Sequence, residues 1–258
     1  MGKRPHRASR PRLVAPPTMP TKPRVAIATP VYGQTVQLHF CGSVFSAVGA
    51  LREVGAECDW ISYSSPSARW GRNTLVAQFL AVPDFTHLMW VDADVSFGRD
   101  AIPRLLAHDL PVVAGLYPAK RLPLRFEWVP VRDEAGVLVR NANGLIRARL
   151  VDGGFVLVKR EVYLRLVEAY PERRLVGDPG DPIRFLAPWM HDLHPEDYAL
   201  GQLGPHEDYG FCNLWTRIGG EIWVDPTVQL THHGMHGYQA DPATLIQARD
   251  HMRQVANG

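Results

Sequence analysis

The sequence has few cysteines, no long apolar run and almost no net charge. Its three cysteines, Cys41, Cys58 and Cys212, are far apart and form no C-x-x-C pair, so we expect neither a disulfide framework nor a structural zinc site. No apolar stretch approaches the ~20 residues that cross a bilayer, and residues 1–23 lack the apolar core of a signal peptide. These absences predict a cytoplasmic protein without a transmembrane segment.

The charge distribution separates the first residues from the rest. A net charge of +2 over 258 residues excludes a body that binds polyanions through bulk charge. Residues 1–23 are rich in arginine, lysine and proline and contain no acidic residue. We predict that they form a disordered basic arm, which is either a solvating tail or a segment that contacts a phosphate backbone.

The chain after the arm alternates strand-like and helix-like stretches. With 46% hydrophobic residues, it suits one globular domain with a sizeable core. Strands are predicted over 25–28, 58–62, 86–91 and 112–116, and helices over 35–54, 68–81 and 100–108. This order predicts an α/β fold with a parallel sheet and crossover helices.

The pattern changes after residue 118. Residues 125–157 alternate in polarity, and turn signals at 133–136 and 141–144 predict antiparallel hairpins that join the same sheet. Residues 171–204 show little periodicity, and their length favours a mobile lid over a plain connector. Further helices are predicted over 160–169, 207–218 and 241–256, and a strand over 221–225.

Asp92 and Asp94 end the apolar run 86–91, which predicts a buried strand. Open α/β sheets bind ligands at the carboxyl ends of their strands. Two carboxylates one residue apart can share a divalent cation, and the cation can carry a diphosphate. The Asp92-Ala93-Asp94 motif therefore predicts a metal and diphosphate site, while a solvated turn after a strand is the alternative.

Other motifs accompany this one in a definite order. They are residues 25–30, 69–73, 92–94, 152–154, 207–208 and 232–234. Together they resemble the GT-A class of nucleotide-sugar glycosyltransferases, in particular its family-2-like members. The resemblance covers residues 24–235 and implies a GT-A (Rossmann-like) fold, in which helices flank a mostly parallel central sheet with an added antiparallel segment. It implies one domain over 24–258, with a nucleotide-binding part (24–118), an acceptor part (119–240) and a C-terminal helix (241–256).

The resemblance also implies that the donor is a UDP-sugar or a similar nucleotide sugar. In such enzymes the loop after the first strand holds the base, an arginine-asparagine pair lies near the phosphates, and glycines line the sugar. The corresponding residues are Thr29, Pro30, Tyr32, Arg69, Arg72, Asn73, Asp92, Ala93, Asp94, Gly153 and Gly154. Independently of the resemblance, cations at a helix start are disfavoured unless an anion is present, which indicates a bound phosphate near Arg69 and Arg72.

The expected metal is Mn²⁺ or Mg²⁺, because oxygen-rich ligation with one imidazole suits these ions better than Zn²⁺. Asp94 is expected to bind it directly, and Asp92 to contact the ion, its bound water or the ribose. His232 and His233 face opposite sides of an extended backbone, so only one can reach the metal. In the resembled family the ligand is a histidine followed after one residue by glycine, which selects His232 and leaves His233 in reserve.

Glu207 and Asp208 match the acidic pair of the family's inverting members, in which the aspartate is the general base that takes the acceptor's proton. An acidic first turn of a helix is the structural alternative. A retaining GT-A transferase remains possible for the same motifs. A third possibility is a nucleotide-sugar or nucleic-acid binding module that has lost catalysis.

The acceptor stays open at this stage. The basic arm, Lys120, Arg121 and Arg125 suit an anionic acceptor such as DNA with a hydroxymethylated base, while a glycan or a lipid-linked sugar fits the class equally well. Lys120 and Arg121 can alternatively reach the diphosphate. In the segment 171–204, Trp189, Met190 and His191 either stack on a sugar or base or clasp the segment to the body.

Overall fold

The computed structural model describes residues 22–173, 191 and 207–257. Nearly all of the predicted arm and lid therefore lies outside the described residues. The strands are β1 (Arg24–Val31), β2 (Glu57–Ser64), β3 (His87–Val91), β4 (Val95–Phe97), β5 (Val112–Ala114), β6 (Trp128–Pro130), β7 (Ile146–Val151), β8 (Phe155–Lys159), β9 (Ile222–Val224), β10 (Leu230–His233) and β11 (Gly237–Gln239). The helices are α1 (Leu38–Glu53), α2 (Ala68–Ala81), α3 (Ala101–Ala107), α4 (Arg160–Ala169), α5 (Glu207–Arg217) and α6 (Pro242–Asn257), with a 3-10 turn at Pro171–Arg173.

Eight strands form the central sheet in the order β2-β1-β3-β8-β5-β9-β7-β6. Six of these strands run in one direction, whereas β7 and β8 run in the other. The predicted α/β fold, with a mostly parallel sheet and an added antiparallel segment, is thereby confirmed. A second, antiparallel sheet of order β11-β10-β4 stands beside it.

Alternate residues of the central strands enter two cores, one on each face of the sheet. Ala26 and Trp90 pack with residues of α2, α4 and α5 on one face. Val25 and Met89 pack with residues of α1 and α3 on the other. Because both faces are covered, β1 and β3 are apolar along nearly their whole length, which is typical of parallel strands.

Local capping explains where the first helices begin and end. The Ser67 hydroxyl accepts from the Trp70 N–H (3.3 Å) and starts α2 at the predicted residue. α1 ends before Gly55, whose φ of +79° suits glycine. α1 begins later than predicted, because Gln37 is extended and its N–H donates to the Ala93 carbonyl (2.9 Å).

The two predicted hairpin turns are both present. Gly136 N–H donates to Asp133 O (2.9 Å) and Gly144 N–H to Asn141 O (3.0 Å), and both glycines have positive φ. β7 then joins the sheet between β6 and β9, while β8 inserts between β3 and β5. None of the described helices is both long and apolar enough to span a bilayer.

Candidate active site

The site forms at the edge of the sheet where β1 and β3 end, since these parallel strands finish side by side. β8 begins at the same edge, because Phe155 pairs with Val91, the last residue of β3. A cleft of about 710 Å³ opens there. The predicted residues that line it are Pro30, Tyr32, Arg72, Asp92, Ala93, Asp94, Glu207, Asp208 and His232.

Arg72, in α2, joins the acidic residues of the cleft. Its side chain is 3% exposed, and its Nη2 is 2.9 Å from Asp92 Oδ1. Its Nε is 2.8 Å from Asp208 Oδ1 and 3.4 Å from Glu207 Oε1. Burial disfavours the charged form of Arg72, but the three carboxylates, Asp208 foremost, outweigh it and raise the pKa above its ordinary value. Arg72 therefore stays cationic and connects the end of β3 to the start of α5.

Gly153 and Gly154 provide the space that the carboxylates occupy. A Cβ at Gly153 would overlap the Asp208 carboxylate, and a Cβ at Gly154 would overlap Asp92 and the Tyr117 hydroxyl. The Gly154 N–H also donates to Tyr117 Oη (3.1 Å), which in turn lies 3.5 Å from Asp92 Oδ2. The glycines are thus needed for close approach rather than for backbone conformation.

The carboxyl groups of Asp92 and Asp208 respond differently to their surroundings. Burial raises the pKa of Asp92, and the opposing effect of Arg72 does not cancel it. Burial also acts to raise the pKa of Asp208, but Arg72 and then His191 outweigh it and bring the pKa below its ordinary value. Asp208 is therefore ionised at neutral pH.

Asp94 lies between Lys120 and His232. The Lys120 ammonium forms an ion pair with Asp94 Oδ2, and His232 Nε2 is 3.5 Å from Asp94 Oδ1. Burial would raise the pKa of Asp94, but these two neighbours lower it. The small sheet creates this arrangement, because β10 pairs with β4 and places His232 opposite Val95.

The hydrogen bonding of His232 fixes which of its nitrogens faces Asp94. His232 Nδ1 is 3.0 Å from the Pro118 carbonyl, which can only accept, so Nδ1 carries the proton. In the neutral ring, Nε2 then presents a lone pair towards Asp94; in the doubly protonated ring, Nε2 donates to Asp94, and this form lowers the pKa of the carboxyl. His233 points away from the cleft, where its Nε2 is 2.7 Å from Ser96 Oγ and its ring stacks on His39 at 4.6 Å.

These contacts bear on whether a metal fits the site. Two acceptors, a carboxylate oxygen and an imidazole lone pair, face each other, and a ligating histidine commonly donates its other N–H to a backbone carbonyl. No group of three or more His, Cys, Asp or Glu side chains within the described part of the chain is spaced to hold a metal. Asp94 and His232 would supply two ligands, and an ion held by them would complete its shell with water and substrate phosphate, as Mg²⁺ commonly does.

Two residues predicted to bind the nucleotide sugar, Thr29 and Asn73, form hydrogen bonds with other residues of the protein. Thr29 Oγ1 accepts from Trp60 Nε1 (3.0 Å). The Asn73 amide binds the backbone of residue 191 and donates to the Arg69 carbonyl. Arg69 itself lines a neighbouring depression. Contacts of Thr29, Asn73 and Arg69 with the nucleotide sugar stay predictions.

Tyr117, Glu127 and Asp152 are among the residues that line the cleft without having been predicted as site residues. Asp152 directly precedes the two predicted glycines, and burial, followed by the nearby Asp208, raises the pKa of its carboxyl to about 8. Tyr117 directly follows the strand predicted over 112–116, so the rule that selected Asp92, a polar residue closing a buried strand, could have found it. Glu127 forms an ion pair with Arg121, and no sequence signal marks it.

Comparisons with known proteins give likenesses of structure and none of sequence. No family model and no curated protein matches the chain. Among the similar solved structures, A197 from STIV is 15% identical with a TM-score of 0.47, over 82% of this chain and 86% of that one. GalNAc-T7, crystallised with UDP, GalNAc and Mn²⁺, is 12% identical with a TM-score of 0.48, over 86% of this chain and 46% of that one.

A third structure, a glycosyltransferase involved in the glycosylation of the major capsid of PBCV-1, is 9% identical with a TM-score of 0.29. The similarity covers 61% of this chain and 72% of that one. All three TM-scores lie below 0.5. The function is therefore argued below from this chain's own residues.

Proposed function

We propose that this chain is a metal-dependent GT-A glycosyltransferase that moves a sugar from a UDP-sugar, or a similar nucleotide sugar, to an acceptor hydroxyl. The observation that carries the proposal is the approach of His232 Nε2 to Asp94 Oδ1 at 3.5 Å where β3 ends. In the neutral form of His232, the form that binds a metal, both atoms are acceptors, since Nδ1 donates to the Pro118 carbonyl. A shared divalent cation satisfies both of them.

Asp94 and His232 would hold Mn²⁺ or Mg²⁺, and the bound ion would offset the charge of the departing nucleoside diphosphate. Lys120 lines the same cleft and already neutralises Asp94. The Lys120 side chain is about one-third exposed, so it can also contact a phosphate. Asp92 is held by Arg72 and Tyr117, which suits it to orient the ribose or an ion-bound water rather than to be the principal ligand.

Asp208 is proposed as the general base of an inverting transfer. The bond between the anomeric carbon and the diphosphate oxygen breaks, the acceptor oxygen bonds to that carbon, and the hydroxyl proton passes to Asp208. The carboxylate suits this role because it lines the cleft and is ionised at neutral pH. Glu207, the preceding residue of α5, lines the cleft as well and is the reserve base.

The acceptor side of the cleft is less basic than the sequence suggests. Arg121 is neutralised by Glu127 and Lys120 by Asp94. The described residues thus favour neither a modified DNA base nor a glycan or lipid-linked sugar, and each stays a candidate.

Calorimetry with nucleoside diphosphates tests the proposal before the acceptor is known. We expect UDP, or another nucleoside diphosphate, to bind in the presence of Mn²⁺ and to lose most of its affinity in EDTA. A panel of nucleotide sugars with Mn²⁺ should then show slow hydrolysis of one donor. If no nucleoside diphosphate binds with any divalent ion, the proposed function is wrong.

A further inference from the structure

His191 lies against the proposed general base but outside the cleft. The residue is 1% exposed, and its Nδ1 is 3.6 Å from Asp208 Oδ1. Among the described residues, these two atoms are the buried side-chain polar atoms that make no hydrogen bond of good geometry, although Asp208 Oδ1 also forms an ion pair with Arg72 Nε at 2.8 Å. Buried polar atoms normally have partners, so this contact calls for an explanation.

The position of the His191 ring is fixed on several sides. The side chain of Asn73 binds the backbone of His191 twice, accepting its N–H (2.9 Å) and donating to its carbonyl (3.0 Å). The ring stacks on Phe211 with centroids 5.0 Å apart and meets the edge of Trp90 at 5.1 Å. Few other orientations of the imidazole are compatible with this packing.

The hydrogen bonds behind His191 determine its protonation. Trp90 Nε1 can only donate, and it donates to Tyr163 Oη (3.0 Å). Tyr163 Oη is 3.1 Å from His191 Nε2, its acceptor among the described residues. Nε2 therefore accepts the Tyr163 proton, and Nδ1 carries the proton of the neutral ring. Burial keeps the ring neutral, because it lowers the pKa of His191.

We propose that His191 is a positioning residue for Asp208: its Nδ1–H orients the carboxylate and favours the ionised form that accepts the acceptor's proton. The proposal rests on the proposed function. Trp90, Tyr163, His191 and Asp208 then form one chain of donors and acceptors that starts in the core and ends at the cleft. In an unliganded enzyme such a contact is often long and tightens when substrate binds.

The tautomer of His191 can be measured without turnover. In the full-length protein labelled with ¹⁵N-histidine, long-range ¹H–¹⁵N correlation distinguishes the two neutral tautomers. We expect the His191 ring, identified by its loss in His191→Phe, to be protonated at Nδ1. We expect Asp208→Leu to shift that Nδ1 signal. Protonation at Nε2 would overturn the proposal.

Two substitutions at His191 distinguish the role of its Nδ1–H as a hydrogen-bond donor from the role of its ring in packing. His191→Phe keeps a ring against Phe211 and removes the donor, whereas His191→Asn keeps an N–H near Nδ1 and removes the ring. We expect His191→Phe to lower kcat by about 10- to 100-fold, the scale measured for hydrogen-bond partners of metal ligands, while the KM for the nucleotide sugar stays unchanged. His191→Asn should keep kcat within about threefold, the scale of a weak hydrogen bond.

The pH profile gives a readout that a packing defect would not move. Loss of the Nδ1–H hydrogen-bond donor of His191 should raise the pKa of Asp208. The acid limb of kcat/KM should therefore move to higher pH in His191→Phe and stay in place in His191→Asn. Tyr163→Phe, which removes one oxygen distant from the cleft, should shift the limb in the same direction by less. The proposal would be overturned if His191→Phe and His191→Asn lost kcat equally and the acid limb of kcat/KM stayed in place in both. If the wild type turns over no donor, the proposed function fails, whereas the tautomer measurement still decides whether His191 donates to Asp208.

Discussion

Gly154 lies so close to Asp92 that a Cβ at position 154 would occupy the space of the Asp92 carboxylate. The Tyr117 hydroxyl presses on the same position and accepts the Gly154 N–H. The turn before β8 is therefore matched in shape to the acidic end of β3.

Gly154→Ala should damage both stability and activity. The added methyl must displace Asp92 or Tyr117, and such overpacking costs about 1–3 kcal/mol. Thermal unfolding and donor hydrolysis measure the two effects. Gly49→Ala in α1 is the matched control, because a Cβ there meets nothing within 4 Å and alanine favours a helix by about 1 kcal/mol over glycine. A Gly154→Ala protein as stable and active as the wild type would contradict the packing.

The two adjacent histidines give an internal control for metal binding. His232→Gln should weaken Mn²⁺-dependent UDP binding strongly, since Nε2 of His232 faces Asp94. His233→Gln should leave it nearly unchanged, because His233 contacts Ser96 and His39 on the other side of β10. Calorimetry with UDP and Mn²⁺ measures both, and the opposite ranking would transfer the ligand role to His233.

Asp94→Asn should abolish metal-dependent UDP binding, because it removes the charge that would hold the ion. Asp100→Asn, at a side chain that is 76% exposed, is the control for the loss of one carboxylate. Unchanged UDP affinity in Asp94→Asn, measured by the same calorimetry, would remove Asp94 from the site.

Asp208→Asn should lower kcat by about 10² or more, the scale of a lost general base, while UDP binding stays intact. Glu207→Gln should cost less, because Asp208 remains. Steady-state kinetics on the identified donor and acceptor measure both variants. Near-normal turnover in Asp208→Asn would point to Glu207 or to a retaining mechanism.

His87, which lies outside the cleft, should make the stability of the fold depend on pH. Burial, and then Lys159, lower the pKa of its imidazole to about 4, against about 6.5 in an unfolded chain. Between these values the unfolded state binds a proton that the folded state does not, so stability falls as the pH drops from about 6.5 towards 4. The loss approaches about 3 kcal/mol. Urea titrations at pH 7 and 5 should show a smaller difference in His87→Gln, and equal differences would contradict the assignment.

Removal of residues 1–21 tests the basic arm. Donor hydrolysis should not change, since the site lies between residue 30 and residue 232. If the acceptor is DNA, removal of five cations (Lys3, Arg4, Arg7, Arg10 and Arg12) should weaken DNA binding and flatten its salt dependence, by about 0.9 for each phosphate that is no longer neutralised. Filter binding over a salt series measures this. A full-length protein without DNA affinity at low salt would favour a glycan or lipid-linked acceptor.

Local signals made some elements predictable and long-range contacts decided others. The bounds of α2 and α4 agree with the prediction: the Ser67 cap marks the start of α2, and α4, which has no side-chain cap at its start, follows its apolar periodicity. β4 and β11 are three residues each, too short for a periodic pattern, and form because β10 pairs with both. The start of α1 depends on a hydrogen bond from Gln37 to Ala93, which no local pattern encodes.

The same distinction applies to the site. Asp92, Arg72 and Asp208 lie together in the cleft. Asp92 and Arg72 were predictable from their positions at the end of a strand and the start of a helix, whereas Asp208 was predicted from the family resemblance. The link between Asn73 and His191 joins residues 118 positions apart. Such a pairing depends on the folded topology, so sequence reasoning treated the two residues as unrelated.

The register of β8 against β3 also decides where the protein can be altered. Residues 152–154 connect β7 to the first paired residue of β8, so an insertion or deletion there would pull the glycines away from Asp92 and Asp208. The hairpin turn at 141–144 does not position any residue of the cleft, and Ala142 at its tip is exposed. A spectroscopic label attached through Ala142→Cys would therefore report on the protein in solution without entering the cleft.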